Sequence, residues 1–104
     1  MSHIAMNKIT IICYDIKSNR LRRKIDKCMK DFGIRIQFSV FLCRLDADGV
    51  ARCRAKLMDI LDKFVGEREP DDSLILFERL HPESADCLLG TRIEHKVPTF
   101  AIFS

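Results

Sequence analysis

Near its amino end the chain carries a largely apolar run, Ile9-Thr10-Ile11-Ile12-Cys13-Tyr14, which Asp15 closes. The run is rich in β-branched residues and too short for a buried helix, so it predicts a strand over Ile9–Ile16. Because both faces of this strand are apolar, we place it centrally in a sheet. Such a strand needs protein cover on at least one side and leaves room for a partner on the other.

Asp15 is a lone carboxylate at the end of this strand, and a basic segment that begins at Lys17 follows it at once. Burying a carboxylate costs several kcal/mol unless a cation or a hydrogen-bond donor satisfies it. Ligands also tend to bind at the carboxyl ends of strands in α/β layers. Asp15 is therefore the first candidate for a metal or phosphate site. The alternative is that it only caps the adjoining helix or pairs with a nearby arginine.

A helix is predicted after the strand, with Ser18 or Asn19 as its cap. Its apolar residues recur at helical spacing, and Gly33 is expected to end it. The cationic side chains fall mostly on the opposite face. The apolar positions are Leu21, Ile25, Cys28, Met29 and Phe32.

The segment Ile34–Leu45 is strand-like throughout but longer than a usual strand. It predicts two short strands, or one long bent strand, with a change of direction near Gln37–Val40. Asp46–Gly49 then predicts a turn and helix cap. A second helix follows and ends near Gly66. Its apolar stripe comprises Val50, Cys53, Leu57, Ile60, Leu61 and Phe64.

The remaining chain predicts a charged loop over Glu67–Asp72, a strand over Ser73–Leu80 and a long excursion over His81–His95. A last apolar segment, Val97–Phe103, predicts a short terminal strand. The order of elements is βαββαβ plus this extra strand, which indicates an α+β, ferredoxin-like fold. Two helices would cover one face of an antiparallel sheet.

A single domain is expected over residues 7–80, with residues 1–6 as a tag or extension that begins without a secretory signal. Residues 81–104 form a loop and strand expected to pack on a dimer partner. The other sheet face needs a partner if it is apolar, so we predict a face-to-face homodimer. The residues assigned to that face are Ile12, Tyr14, Phe38 and Phe41.

Charge and cysteine usage narrow the class of partner and the compartment. The net charge is only +3, but seven cations between Lys17 and Lys30 are opposed by Asp26 alone. A second basic group follows at Arg52, Arg54 and Lys56, so a polyanion partner competes with a solvated helix face as the explanation.

The five cysteines contain no C-x-x-C pair, which indicates small buried residues in a reducing cytoplasm. No apolar run is long enough to span a membrane.

These residues suggest phosphodiester hydrolysis, which needs a cation, an activated water and charge stabilisation. Asp15 can hold Mg²⁺ or Mn²⁺, and Ser18 and Asn19 lie close enough along the chain to add neutral or water-mediated ligands. Two-metal nucleases assemble several acids, whereas this locus has one, so a dimer would have to bring two copies of Asp15 together. The arginines expected to hold the phosphate backbone are Arg20, Arg22, Arg23 and Arg35.

Four segments together resemble the CRISPR-associated Cas-two family, the small dimeric component of CRISPR spacer acquisition. They are Tyr14-Asp15-Ile16, Leu21-Arg22-Arg23-Lys24, Gly33-Ile34-Arg35-Ile36-Gln37 and Ser39-Val40-Phe41. The resemblance runs over roughly residues 7–80. It implies a ferredoxin-like homodimer with divalent-metal-dependent endonuclease activity on RNA or DNA. It also implies a role as the bridge between Cas-one integrase subunits.

The same resemblance assigns roles by position. Asp15 matches the metal-binding acid, and Tyr14, Arg22, Arg35 and Phe41 match residues tied to activity or nucleic-acid contact. Lys24 stands where an arginine is common, which keeps the charge but loses bidentate phosphate binding.

Three functional hypotheses remain open from the sequence. The first is a metal-dependent nuclease, which needs Asp15. The second is a non-catalytic DNA-binding scaffold of an integration complex, which needs the arginines. The third is a toxin-type ribonuclease on a related ferredoxin-like fold. A small-molecule-binding regulatory domain of the same fold lacks a ligand loop and would leave the basic segment unexplained.

Overall fold

The computed structural model describes residues 8–82 and residue 88. The elements are strand β1 (Ile9–Asp15), helix α1 (Asn19–Met29), strands β2 (Gly33–Gln37) and β3 (Val40–Cys43), helix α2 (Ala47–Lys63) and strand β4 (Ser73–Leu80). A short 3-10 turn, Val65–Glu67, links α2 to the loop before β4. The elements expected over residues 81–104 lie almost wholly outside the described residues, as does the extension over residues 1–6.

The four strands form one antiparallel sheet in the order β2-β3-β1-β4. Strand β1 is central, as its apolar sequence predicted, with Ile12 opposite Phe41 of β3 on one side and Leu76 of β4 on the other. Both helices pack on one face of this sheet. The βαββαβ order with this strand order confirms the ferredoxin-like fold.

Local sequence explains where the helices begin. The hydroxyl of Ser18 accepts a hydrogen bond from the Leu21 amide at 3.1 Å, so Ser18 rather than Asn19 caps α1. The carboxylate of Asp46 accepts one from the Gly49 amide at 2.7 Å and caps α2. The cap expected within Asp46–Gly49 is confirmed, but Ala47, Asp48 and Gly49 belong to the first turn of α2 and not to a separate turn.

The sequence suggested that Gly33 ends the first helix, but this prediction was wrong. Helix α1 ends at Met29, and Gly33 begins β2. The reason for glycine here is close packing between strands. A Cβ at residue 33 would lie 2.3 Å from the Leu42 carbonyl oxygen and 2.6 Å from the Cys43 Sγ. The chain then reverses at Phe38 and Ser39, so the long apolar segment is two strands.

The core lies between the sheet and the helices. Leu21, Ile25 and Met29 of α1 are fully buried there against β1 and β3. Ile12, Tyr14 and Phe41 belong to this core, so their assignment to the open face was wrong. A strand that is apolar on both sides gives no sign of which alternate residues meet the helices.

The open face of the sheet carries the other alternate residues. Ile11 and Cys13 of β1 lie there opposite Phe77 and Ile75 of β4. Ile75 and Phe77 each remain 47% exposed, which is unusual for such side chains on a sheet. On the β2 side of this face, Ile34 and Ile36 pack against Leu42 and Ile9.

Candidate metal and nucleic-acid site

Asp15 is the last residue of β1 and is exposed. Because its neighbours Tyr14 and Ile16 are buried under the helices, strand alternation directs Asp15 to the open face of the sheet. Its backbone is in register with Ser73 of β4. The acid therefore stands at the edge of the open apolar face.

No residue in the described part of the chain forms a hydrogen bond or ion pair with the Asp15 carboxylate. It neither caps α1, a role that Ser18 fills, nor pairs with an arginine. An exposed carboxylate without a protein partner suits a hard cation, and Mg²⁺ commonly takes one or two carboxylates and keeps several waters. Residues 8–82 and 88 hold no group of three or more His, Cys, Asp or Glu suited to a metal. One chain therefore supplies only part of a coordination shell.

Ser18 and Asn19, proposed as supporting ligands, are engaged elsewhere. Ser18 donates its hydroxyl proton to Glu67 Oε1 at 2.6 Å while capping α1. The side-chain oxygen of Asn19 accepts a hydrogen bond from Arg22. The structure therefore does not bring either side chain to Asp15.

Tyr14 faces away from Asp15, into the space beneath α1. Its hydroxyl donates a hydrogen bond to Asp26 Oδ1, and its ring stacks on Phe41 with centroids 6.4 Å apart. Burial, and then the hydrogen bond to Asp26 with its charge, raise the pKa of Tyr14 far above the ordinary 10.0, although Arg35 and Arg22 oppose this. At neutral pH Tyr14 is a hydrogen-bond donor on the helix side of the sheet.

Arg35 also contacts Asp26 on the helix side of the sheet. Its Nη2 lies 3.1 Å from Asp26 Oδ2, its Nη1 donates to the Phe38 carbonyl oxygen at 2.7 Å, and its guanidinium lies 5.2 Å from the Phe41 ring centroid. These contacts use both ends of the guanidinium fork. Arg35 and Phe41 thus support the β2–β3 turn, with 35% of the Arg35 side chain exposed.

Arg22 is similarly fixed near the end of β1. Its Nη1 donates to the Ile16 carbonyl oxygen at 2.8 Å, and its guanidinium lies 5.6 Å from the ring centroid of Phe38. Phe38 is itself 72% exposed at the tip of the turn. The cation at Arg22 is therefore pre-positioned over the strand end that carries Asp15.

The outer face of α1 offers cations that are free to meet a polyanion. Arg23 and Lys24 are exposed, and the described residues include no ion-pair partner for either. A shallow groove on this face is lined by Arg20, Arg23, Lys24 and Lys27. We call these four residues the α1 basic surface.

An acidic loop approaches the start of α1 from the other side. Glu67 Oε2 lies 3.3 Å from Arg20 Nη1, and Lys17 Nζ lies 2.8 Å from Asp71 Oδ2. The Lys17 amide also donates to Asp72 Oδ1 at 3.1 Å. The ammonium–carboxylate pair raises the pKa of Lys17 and lowers that of Asp71. Because both side chains are exposed, the pair contributes little to stability.

Two of the cysteines in the described part of the chain are held as neutral thiols by burial. Cys43 and Cys53 are buried, as predicted, whereas Cys13 and Cys28 are half-buried and Cys87 lies outside the described residues. Burial raises the pKa of Cys53 to about 12 and that of Cys43 further. Both remain neutral thiols at neutral pH.

Asp26 is the site residue that sequence reasoning missed. In the sequence it was noted only as the acid that opposes the basic segment, yet it accepts a hydrogen bond from Tyr14 and pairs with Arg35. A signal was available: Asp26 is the one acid among seven cations between Lys17 and Lys30. It also follows the buried Ile25, which places it at the edge of the apolar face.

No helix in residues 8–82 and 88 is long and apolar enough to cross a membrane.

The fold defines a small ferredoxin-like α+β protein with an acid at the end of its first strand. This follows from the element order, the sheet order and the placement of both helices. The family model for CRISPR associated protein Cas2 matches residues 7–84. The chain belongs to this Cas2 family, as the resemblance of its motifs indicated.

Curated relatives carry similar segments. The CRISPR-associated endoribonuclease Cas2 of Geobacter sulfurreducens is 37% identical over 57 residues, covering 55% of this chain and 60% of that protein. A protein of the same name from Thermus thermophilus is 38% identical over 53 residues, covering 51% and 56%. The chain thus spans about three-fifths of the length of the curated relatives it matches.

Solved structures support the fold. A hypothetical protein, TT1823, from Thermus thermophilus aligns with a TM-score of 0.63 and 26% identity over 88% of this chain and 94% of that one. A chain of a partial Cas6–RT–Cas1–Cas2 complex aligns with a TM-score of 0.67 and 20% identity over 83% and 96%. Streptococcus pyogenes Cas2 aligns with a TM-score of 0.55 and 22% identity over 86% and 95%.

Proposed function

We propose that this protein is a metal-dependent endonuclease that acts as a homodimer on RNA or DNA, with Asp15 as the metal ligand. The observation that carries the proposal is the position of Asp15: exposed, without a partner in the described part of the chain, and at the edge of an open apolar sheet face. The endoribonuclease names of the relatives support the same activity.

The dimer follows from the composition of the open face. Ile11, Cys13, Ile75 and Phe77 form a continuous apolar patch across β1 and β4. A second copy is the partner that fits, because a twofold interface matches a patch with itself. An isologous contact of the open faces also places Asp15 of one protomer on the same surface as Asp15 of its partner. This supplies the second carboxylate that one chain lacks.

The bound cation would be Mg²⁺ or Mn²⁺, since carboxylate oxygens and water are the ligands that both prefer. When bound, it would supply an activated water and stabilise negative charge on the phosphoryl group. Asp15 is the ligand in each protomer. Arg22 provides positive charge on the helix side of this strand end, and the buried phenol of Tyr14 supports β1 from the same side.

The α1 basic surface favours a second function, a nucleic-acid-binding scaffold in spacer acquisition. Arg23 and Lys24 are exposed and unpaired within the described residues, so they can contact phosphates without breaking an existing ion pair. The solved complex that contains Cas1 and Cas2 supports the CRISPR integrase Cas1 as the protein partner. Scaffold and nuclease use different residues and can coexist.

The nuclease proposal is tested by cleavage of single-stranded RNA, single-stranded DNA and duplex DNA against Mg²⁺ and Mn²⁺ concentration and pH. Asp15→Ala should abolish metal-dependent cleavage while the oligomeric state, measured by sedimentation, stays that of the wild type. Asp48→Ala, which removes an exposed acid from the first turn of α2, is the matched control and should cleave normally.

Equal cleavage by Asp15→Ala and wild type would refute the nuclease proposal and assign the activity to a contaminant or another site. The scaffold function is judged separately by binding. Arg23→Glu with Lys24→Glu should abolish binding of duplex DNA, and retained binding would rule out a scaffold that uses the α1 basic surface.

A further inference from the structure

Asp26 is a bridging carboxylate between the helix layer and the sheet. Its Oδ1 accepts a hydrogen bond from the Tyr14 hydroxyl, and its Oδ2 lies 3.1 Å from Arg35 Nη2. Only 19% of its side chain is exposed, so both contacts are partly shielded from water. Charge-assisted contacts of this kind are stronger than neutral ones and are sensitive to loss of one partner.

These contacts continue into the β2–β3 turn. The other end of the Arg35 fork donates to the Phe38 carbonyl oxygen at 2.7 Å. The carbonyl oxygen of Ser39, the following residue, accepts a hydrogen bond from the Tyr14 amide at 3.1 Å. Tyr14 is therefore tied to the turn twice, once through its backbone and once through its side chain by way of Asp26 and Arg35.

This circuit lies where the pairing of β1 with β3 ends. The pairing of β1 with β3 ends at Cys13 opposite Val40, whereas pairing with β4 continues to Asp15 opposite Ser73. On the β3 side, the Tyr14–Ser39 hydrogen bond is the last contact before Asp15. The position of Asp15 on that side consequently depends on how firmly the turn is held.

We propose that Asp26 is a positioning residue for Asp15: it locks Tyr14 and Arg35 together, holds the β2–β3 turn against β1, and so fixes the carboxylate that binds the metal. This inference rests on the proposed function in so far as Asp15 is the metal ligand. It assigns Arg35 to the same support and not to direct phosphate contact.

The test is Asp26→Asn, which keeps the shape of the side chain but removes its charge and its ion pair with Arg35. The matched control is Asp59→Asn, which removes one carboxylate and one ion pair, that with Lys63 at 3.0 Å, from the exposed side of α2. Asp26→Asn should raise the Mn²⁺ concentration for half-maximal cleavage about 10-fold, the lower end of the loss seen when a direct partner of a metal ligand is removed, because Asp26 acts on Asp15 only through Tyr14 and the β2–β3 turn. The rate at saturating Mn²⁺ should stay close to that of the wild type, and Asp59→Asn should match the wild type in both.

Mn²⁺ binding measured by electron paramagnetic resonance gives a readout that does not depend on cleavage. Asp26→Asn should weaken Mn²⁺ binding by about the same factor, whereas Asp59→Asn should bind Mn²⁺ as the wild type does.

The outcomes separate the two proposals. If wild type does not cleave, the nuclease proposal fails, and Mn²⁺ binding measured by electron paramagnetic resonance replaces cleavage as the readout for positioning. An unchanged metal dependence in Asp26→Asn, or wild-type protein that binds no Mn²⁺ through Asp15, would overturn the positioning role. If Asp26→Asn fails to fold, Tyr14→Phe removes one arm of the circuit and decides the matter: it should shift the metal dependence in the same direction by less, and no shift would overturn the role.

Discussion

Tyr14 and Asp15 are consecutive in the chain, yet their side chains lie on opposite faces of the sheet. The Tyr14 hydroxyl bonds to Asp26 beneath α1, while the Asp15 carboxylate lies on the face without helices. This separation divides the motif into two functions. Tyr14 anchors the strand end to the helix layer, and we propose that Asp15 meets the metal and the partner protomer.

The close packing at Gly33 predicts a large effect on stability. Gly33→Ala should lower the free energy of unfolding by about 3 kcal/mol, because the added Cβ meets backbone that cannot move away easily. Chemical denaturation is the measurement. Gly66→Ala is the control, since a Cβ there has nothing within 4 Å, and it should change stability by less than about 0.5 kcal/mol. Equal effects of the two substitutions would contradict this account of Gly33.

The Tyr14–Asp26 hydrogen bond predicts a pH-dependent stability. At neutral pH, Tyr14→Phe should lower the free energy of unfolding by about 1–2 kcal/mol, because a partly buried carboxylate loses its donor. The folded-state pKa of Tyr14 is raised, so the full contribution is present below the ordinary pKa of 10.0. At higher pH the unfolded chain releases a proton that the folded protein keeps, and the contribution falls by about 1.4 kcal/mol per pH unit.

The difference between wild type and Tyr14→Phe should therefore shrink as pH rises above 10.0. Cys43 and Cys53 also titrate in this range with raised pKa values, but they are common to both proteins and cancel in the difference. A difference that stays constant across the alkaline range would show that the phenol ionises equally in both states.

The open face predicts a dimer that a single charge disrupts. Phe77→Glu should shift the protein from dimer to monomer in sedimentation experiments, because it places a charge in the centre of the proposed interface. Met58→Glu alters a side chain of similar exposure, 51% against 47%, but on α2 away from this face. It should leave the oligomeric state unchanged. Dimers in both variants would place the interface elsewhere.

We expect the cationic side chains to fall into two groups according to their effect on the salt dependence of DNA binding. Arg23→Ala with Lys24→Ala should reduce the slope of log K against log salt for duplex DNA by about 0.9 for each phosphate that the variant no longer neutralises. Arg35→Ala should leave that slope unchanged and lower the free energy of unfolding instead, because Arg35 is engaged with Asp26 and the Phe38 carbonyl oxygen. A reduced slope in Arg35→Ala would assign this residue to phosphate binding after all.

Local signals along the chain were enough to predict the elements and their order. Apolar runs, helical spacing and caps such as Asp46 can be recognised in sequence, because hydrogen bonding and burial periodicity act within a few residues. The central place of β1 was also predictable, since a strand apolar on both faces must be covered. The position of Asp15 at the strand end followed from the same reasoning.

The face of β1 that meets the helices became known from the three-dimensional packing alone, which makes Tyr14 and Phe41 core residues and leaves Asp15 and Ile11 on the other side. The partners of Asp26, which come from β1 and β2, were equally beyond sequence reasoning. Strand alternation has two equivalent phases when both faces are apolar, and contacts between distant segments leave no local pattern. Packing of the helices on the sheet determines which alternate residues of β1 are buried. It thereby determines the surface on which Asp15 lies and the chemistry is proposed.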